Sequence, residues 1–255
     1  MRLVRVARPD GPAFGVVRDD HVVLLDGHPF TGVTLTDRVA PLDAVRLLAP
    51  ILPSKVLAVG KNYAAHAAEM GGDVPSEPLI FSKPATAVIG PGDAIVLPAL
   101  SQEVHHEAEL AVVIGRLARK VPVERALEMV LGYTCANDVT ARDLQQRDGQ
   151  WTRAKGFDTF CPLGPWIETD LDPREPRAVR CNVDGQLRQD GTTADLVFGV
   201  ATLVAWCSAF ATLLPGDVLL TGTPAGVGPL TAGQEVVVEV EGIGALLNRV
   251  ESDIA

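Results

Sequence analysis

The run Glu107-Ala108-Glu109-Leu110-Ala111-Val112-Val113-Ile114 constrains this 255-residue chain more than any other stretch. Its β-branched end predicts a strand. Along a strand residues i and i+2 share a face, so Glu107, Glu109, Ala111 and Val113 point one way. Two carboxylates then lie side by side against a hydrophobic core. Like charges buried that close are costly unless a proton, a cation or a metal compensates them. A hard divalent cation is the simplest compensation.

With 47% hydrophobic residues the chain can bury a large core, as one full-sized domain or as a small domain attached to a larger one. Lysine and arginine number 22 against 32 acidic residues, a net charge of −10, which argues against nucleic-acid or anionic-membrane partners. An anionic small molecule would need a local basic pocket or a metal. Residues 1–8 lack the apolar core and cleavage site of a signal peptide, and no apolar run reaches the length of a membrane span, so a cytoplasmic protein is expected. Cys135, Cys161, Cys181 and Cys207 lie far apart without a C-x-x-C pair and read as buried free thiols.

In chain order, residues 1–50 read as a small β-rich unit, with Val4 and Val6 alternating with arginines and turns at Asp10-Gly11 and Asp26-Gly27. Residues 37–52 read as a connector into a strand at 55–59. A boundary near residue 50 divides the chain into 1–50 and 51–255. The alanines after Tyr63 favour a short helix ended by Gly71-Gly72, on which His66 and Glu69, three apart, share a face. Such a pair is either a general base with its orienting carboxylate or an ordinary surface hydrogen bond. Residues 71–78 have the Gly and Pro content of a mobile lid. His105 and His106 invite a zinc reading, but neighbours on a strand face opposite ways, so at most one could join Glu107 and Glu109.

Residues 123–130 read as helical, and a strand over 131–136 delivers Asn137-Asp138-Val139-Thr140-Ala141-Arg142-Asp143-Leu144-Gln145. Thr140 and Asp143 resemble a capping box that starts a helix at Ala141 and sets Arg142 and Gln145 on one face. Asp138, at the strand end, is a natural third metal ligand. Three carboxylates without thiolates select Mg²⁺ or Mn²⁺, with Ca²⁺ also compatible, over zinc. Further on, Asp184-Gly185 signals a hairpin, and residues 200–213 read as a helix whose Trp206 and Phe210 form a core stripe. Gly222, Gly226 and Gly228 lack the G-K-[ST] of a phosphate loop. Glu235–Val240 reads as the strand that ends the sheet.

Five segments together resemble the fumarylacetoacetate hydrolase superfamily, in particular its short bacterial isomerases, acylpyruvate hydrolases and oxaloacetate decarboxylases. They are Val59-Gly60-Lys61-Asn62-Tyr63 with His66 and Glu69; His105-His106-Glu107-Ala108-Glu109-Leu110; residues 137–143; Trp151-Thr152-Arg153-Ala154-Lys155; and residues 220–228. The resemblance spans residues 55–250. It implies a predominantly β, α+β fold, a mixed β-sandwich roll behind a small N-terminal domain, assembled as a homodimer. It implies that Glu107, Glu109 and Asp138 hold the metal, that Arg142, Gln145 and Lys155 bind substrate and stabilise charge, and that Thr223 binds a carboxylate. His66 and Glu69 become a lid dyad that activates water.

A 2-oxo or β-diketo acid can chelate such a metal through its carboxylate and keto oxygen, and electron density released beside that carbonyl forms an enolate. Hydrolysis of an acylpyruvate-type β-diketo acid at a carbon–carbon bond, expelling pyruvate enolate, gives the dyad a task and is the leading expectation. Isomerisation of 2-hydroxyhepta-2,4-diene-1,7-dioate and decarboxylation of oxaloacetate use the same enolate chemistry. The alternative from another class is a binding protein whose carboxylates hold a purely structural metal.

Overall fold

The computed structural model describes residues 1–253, so the last two residues of the unit expected at 51–255 lie outside it. Ala108–Ile114 is a strand in which every residue is buried. Its two faces enter different cores, which explains the unbroken apolar run. Ala108, Leu110, Val112 and Ile114 pack in one cluster with Val179, Cys181, Val236, Val238 and Leu246. Ala111 and Val113 pack in another with Val56, Ala58, Ala136, Leu163 and Leu220. The alternation expected of Glu109, Ala111 and Val113 is therefore present, and the acidic face turns toward the second cluster.

This strand lies inside a twelve-stranded sheet. One flank is Val130–Asn137, antiparallel, followed by Cys161–Glu168; the other is Val218–Leu220, antiparallel, followed by Val56–Gly60 in parallel and Leu79–Lys83. Residues 1–50 extend the same sheet, because Arg2–Val6 pairs with Cys161–Glu168 at Arg2↔Glu168 and Leu3↔Ile167. A five-stranded sheet, with Ala178–Val183 between Gln186–Thr192 and Glu235–Val240, covers the first cluster and completes the sandwich. The hairpin at Asp184-Gly185 forms as expected, with φ of 50° and 74° at its two central residues.

Several expectations are corrected. Residues 37–52 are not a plain connector: they include most of the strand Leu35–Pro41 and the short strand Leu47–Leu48. Glu235–Val240 does not end its sheet, since Gly244–Ser252 follows and pairs in parallel with Ala94–Leu97. The helix is Val200–Phe210 rather than 200–213, and Trp206 and Phe210 are 36% and 61% exposed, so they are not core. Residues 123–129 form a 3₁₀ helix. The four thiols are buried and free, and burial pushes Cys135, Cys161, Cys181 and Cys207 up to about 12. No helix among the described residues is long and apolar enough to cross a membrane.

Candidate active site

Register brings the acidic residues together. Ala108 lies opposite Asn137 in the antiparallel pair, so one step beyond it Glu107 meets Asp138. The crossing is fixed by the Asp138 amide, which donates to the Glu107 carbonyl at 2.9 Å, and by the Glu107 amide, which donates to Asn137 Oδ1 at 2.9 Å. Glu107, Glu109 and Asp138 are all buried, and each offers an oxygen within 4.8 Å of the others. The set is hard, anionic and oxygen-only, which fits a divalent cation of the Mg²⁺, Mn²⁺ or Ca²⁺ type.

Cations surround the triad. Lys155, at the end of the helix Thr152–Lys155, donates at 2.7 Å to both Glu107 Oε2 and Asp138 Oδ2. Arg142 donates at 2.5 Å to Glu107 Oε1 and at 2.6 Å to Gln145 Oε1, so the expected shared face of Arg142 and Gln145 exists. The capping box does not form. Thr140 is paired in a strand and its hydroxyl donates to the Asp138 carbonyl, while Asp143 accepts from Ser101 Oγ and the Gln102 amide; the helix runs Arg142–Asp148.

Burial pushes Glu107 up, but the Lys155 ammonium and the Arg142 guanidinium outweigh it and hold the carboxyl below its usual range. Glu109 is pushed well above that range by burial and by the negative charges of Asp138 and Glu107. The Gly222 amide donates to its Oε2 at 2.6 Å. Gly222 has a φ of +103°, and a Cβ there would come within 2.8 Å of Asn62 Cβ, so this donor needs glycine.

A cation held by these oxygens needs Glu109 ionised. Mg²⁺ titrated into metal-free protein should therefore release protons, and affinity should rise with pH through the raised Glu109 value. Calorimetry in buffers of different ionisation enthalpy measures the release. A zero proton count would remove Glu109 from the ligand set.

His66 and Glu69 lie on the helix Ala64–Glu69, with His66 Nδ1 3.1 Å from Glu69 Oε2. The other Glu69 oxygen accepts from the Gly226 amide at 3.0 Å, which ties the helix to the loop that carries Thr223. Gly222 and Gly226 thus present their amides to protein carboxylates rather than to phosphate. His66, Glu107, Glu109, Asp138, Arg142, Gln145, Lys155 and Thr223 all line one cavity of about 200 Å³, with Phe81 and Trp151 in its wall.

Neither histidine of the expected pair joins the acidic group among the described residues. His106 Nδ1 faces Gln189 Oε1 at 3.0 Å, and His105 pairs with Glu103. Gln189 and Lys83 were not anticipated. Gln189 is fully buried; its amide donates to Thr223 Oγ1 and the Pro224 carbonyl, and its oxygen accepts from the Ala108 amide. Thr223 donates its own proton to the Ala108 carbonyl at 2.9 Å, so in this arrangement its hydroxyl is an acceptor toward the cavity. Lys83 is completely buried and donates to Asp138 Oδ1 and the Val139 carbonyl. Nothing local in the sequence marked either Lys83 or Gln189.

Comparison with known proteins gives two family matches: residues 55–251 fit the fumarylacetoacetate hydrolase C-terminal model, and residues 1–50 fit the Rv2993c-like N-terminal model. The structure resembles that of the 5-carboxymethyl-2-hydroxymuconate delta-isomerase of Mycobacterium smegmatis, at 56% identity and a TM-score of 0.93, covering 99% of this chain and 100% of that one. It resembles equally the 2-hydroxyhepta-2,4-diene-1,7-dioate isomerase of Mycobacterium marinum, at 48% identity and a TM-score of 0.93, covering 100% of both chains. Human mitochondrial oxaloacetate tautomerase FAHD2A is 46% identical over 83% of this chain and 71% of its own.

Proposed function

Because the chain belongs to the fumarylacetoacetate hydrolase family of enzymes, we propose that it moves a proton at the carbon beside the keto group of a 2-oxo acid, as a metal-dependent isomerase or tautomerase. The observation that carries this reading is that the acidic triad, the cations Arg142 and Lys155, and His66, which Glu69 holds through Nδ1, line a single cavity. A cation such as Mg²⁺ held by Glu107, Glu109 and Asp138 would polarise the keto group as a Lewis acid. Arg142 and Lys155 add positive charge beside the developing oxyanion. Glu69 fixes His66 Nδ1, leaving Nε2 to take a proton from carbon and return it elsewhere on the same substrate. The isomerase and tautomerase relatives described above agree with this order of preference.

Acylpyruvate hydrolysis is the second reading, favoured by the same dyad. A histidine oriented by a carboxylate that is itself held by Gly226 is equally suited to deprotonating water. The resemblance to the family also carries a homodimer into either reading.

Purified protein with Mg²⁺ separates the readings. Enol–keto conversion of oxaloacetate should be accelerated, and His66→Ala should slow it by about 10²–10⁴-fold, the range of general acid–base catalysis. Pyruvate release from acetylpyruvate or fumarylpyruvate, abolished by His66→Ala, would put hydrolysis first. Pyruvate release from oxaloacetate alone, indifferent to His66→Ala, would make the protein a decarboxylase and remove the dyad from the chemistry.

A further inference from the structure

The cavity holds one cation that the chemistry above does not use. Lys61 lines it beside Gly60 and His66, and forms no ion pair among the described residues. Its backbone φ is +57°, the left-handed region that residues with a Cβ rarely adopt. Strained backbone of this kind persists where the surroundings enforce it, and it is common at ligand clamps. The side chain also reaches the backbone of Gly72. A Cβ on Gly72 would sit 2.5 Å from Lys61 Nζ, so the ammonium rests against the segment that follows the His66 helix. On the other side a Cβ on Gly60 would sit 2.7 Å from the Trp151 ring, which closes the wall next to it.

Charge shows what this ammonium faces. Glu107, Glu109 and Asp138 are matched in number by Lys155, Arg142 and Lys83: Lys155 donates to Glu107 and Asp138, Arg142 to Glu107 and Lys83 to Asp138. A divalent cation then leaves the cluster two charges positive. A 2-oxo acid answers both, with its carboxylate and with the negative charge that develops on its keto oxygen. Lys61 is left over, in the lining of the same cavity. No carboxylate among the described residues pairs with Lys61, so a charge-assisted hydrogen bond from its ammonium is left for a ligand to accept.

We propose that Lys61 is a specificity-determining residue that binds a second carboxylate at the far end of the substrate, making this a site for 2-oxo dicarboxylates over 2-oxo monocarboxylates. The assignment rests on the metal-dependent 2-oxo acid reading above. Binding to Mg²⁺-loaded protein can be followed by intrinsic tryptophan fluorescence, since Trp151 lines the cavity. The probes are 2-oxobutyrate against oxaloacetate, 2-oxoglutarate and 2-oxoadipate. Native protein should prefer at least one dicarboxylate. Lys61→Met should weaken that dicarboxylate by about tenfold or more, the scale of a lost charge-assisted hydrogen bond, and leave 2-oxobutyrate within about twofold. Lys61→Arg should keep the preference. Equal weakening of both classes, or none, would overturn the assignment and leave the metal-dependent reading intact. Native protein that binds no 2-oxo acid in a Mg²⁺-dependent way would overturn that reading and the assignment with it.

Discussion

Without metal, Glu109→Gln will be more stable than the native protein at neutral pH, yet it will not respond to divalent cations and will have lost its activity. Glu109 is buried beside Asp138 and Glu107, and its carboxyl titrates well above the usual value of 4.5. A carboxyl whose folded value exceeds its unfolded one favours the folded state below the unfolded value, and that contribution is lost as pH rises through the folded value. The contribution of Glu109 to the stability of the metal-free protein is therefore lost as pH climbs above about 4.5, the ordinary glutamate value. Glutamine keeps the shape and can still accept from the Gly222 amide, but it carries no charge to repel Asp138 and Glu107. The stability gap between variant and native should open with rising pH.

Added Mg²⁺ should reverse the order. Native protein gains melting temperature by mass action, while the variant, short of one anionic oxygen, gains little. Turnover should fall by about 10³-fold, equivalent to the loss of roughly 4 kcal/mol of Lewis-acid stabilisation. Melting curves with and without Mg²⁺ across a pH series read both signs. A variant less stable than native without metal would contradict the electrostatic account of Glu109.

Much of this site was legible because its parts obey short-range periodicities. The two-residue period placed Glu109 with Ala111 and Val113, although Glu107 lies just before the strand, and the three-residue helical spacing joined Arg142 to Gln145 and His66 to Glu69. Asp138 was legible as the end of a strand. What failed depended on partners distant in sequence. Lys83 reaches Asp138 across 55 residues and Gln189 reaches Ala108 across 81, and no local pattern encodes either contact. Gln189 even sits between Arg188 and Asp190, which are exposed. Trp206 and Phe210 failed for another reason. The helix Val200–Phe210 is apolar all round, with Leu203, Val204 and Cys207 buried, so its sequence has no polar face to say which side turns inward. Thr140 and Asp143 had the letters of a cap, but strand pairing of Thr140 with His105 turned the hydroxyl toward Asp138 instead.

Lys83→Met is expected to cost about 3–5 kcal/mol of folding stability, because removing one member of a buried ion pair leaves the other charge uncompensated. Lys83 is 0% exposed and Asp138 1%, so water cannot take over the lost contact. Asp138 Oδ1 loses its ammonium and the Val139 carbonyl loses a donor, while Lys155 still holds Oδ2. The excess negative charge left in the triad should then draw a divalent cation more strongly. Mg²⁺ should accordingly restore part of the loss in Lys83→Met and should raise its melting temperature more than that of native protein. Pairing the change with Asp138→Asn removes the stranded charge, so the double variant should be less destabilised than the two single costs added together. Urea unfolding of the four proteins gives the coupling directly. Additive costs, or a loss below about 1 kcal/mol for Lys83→Met, the range of an exposed pair, would mean that Lys83 does not balance the triad.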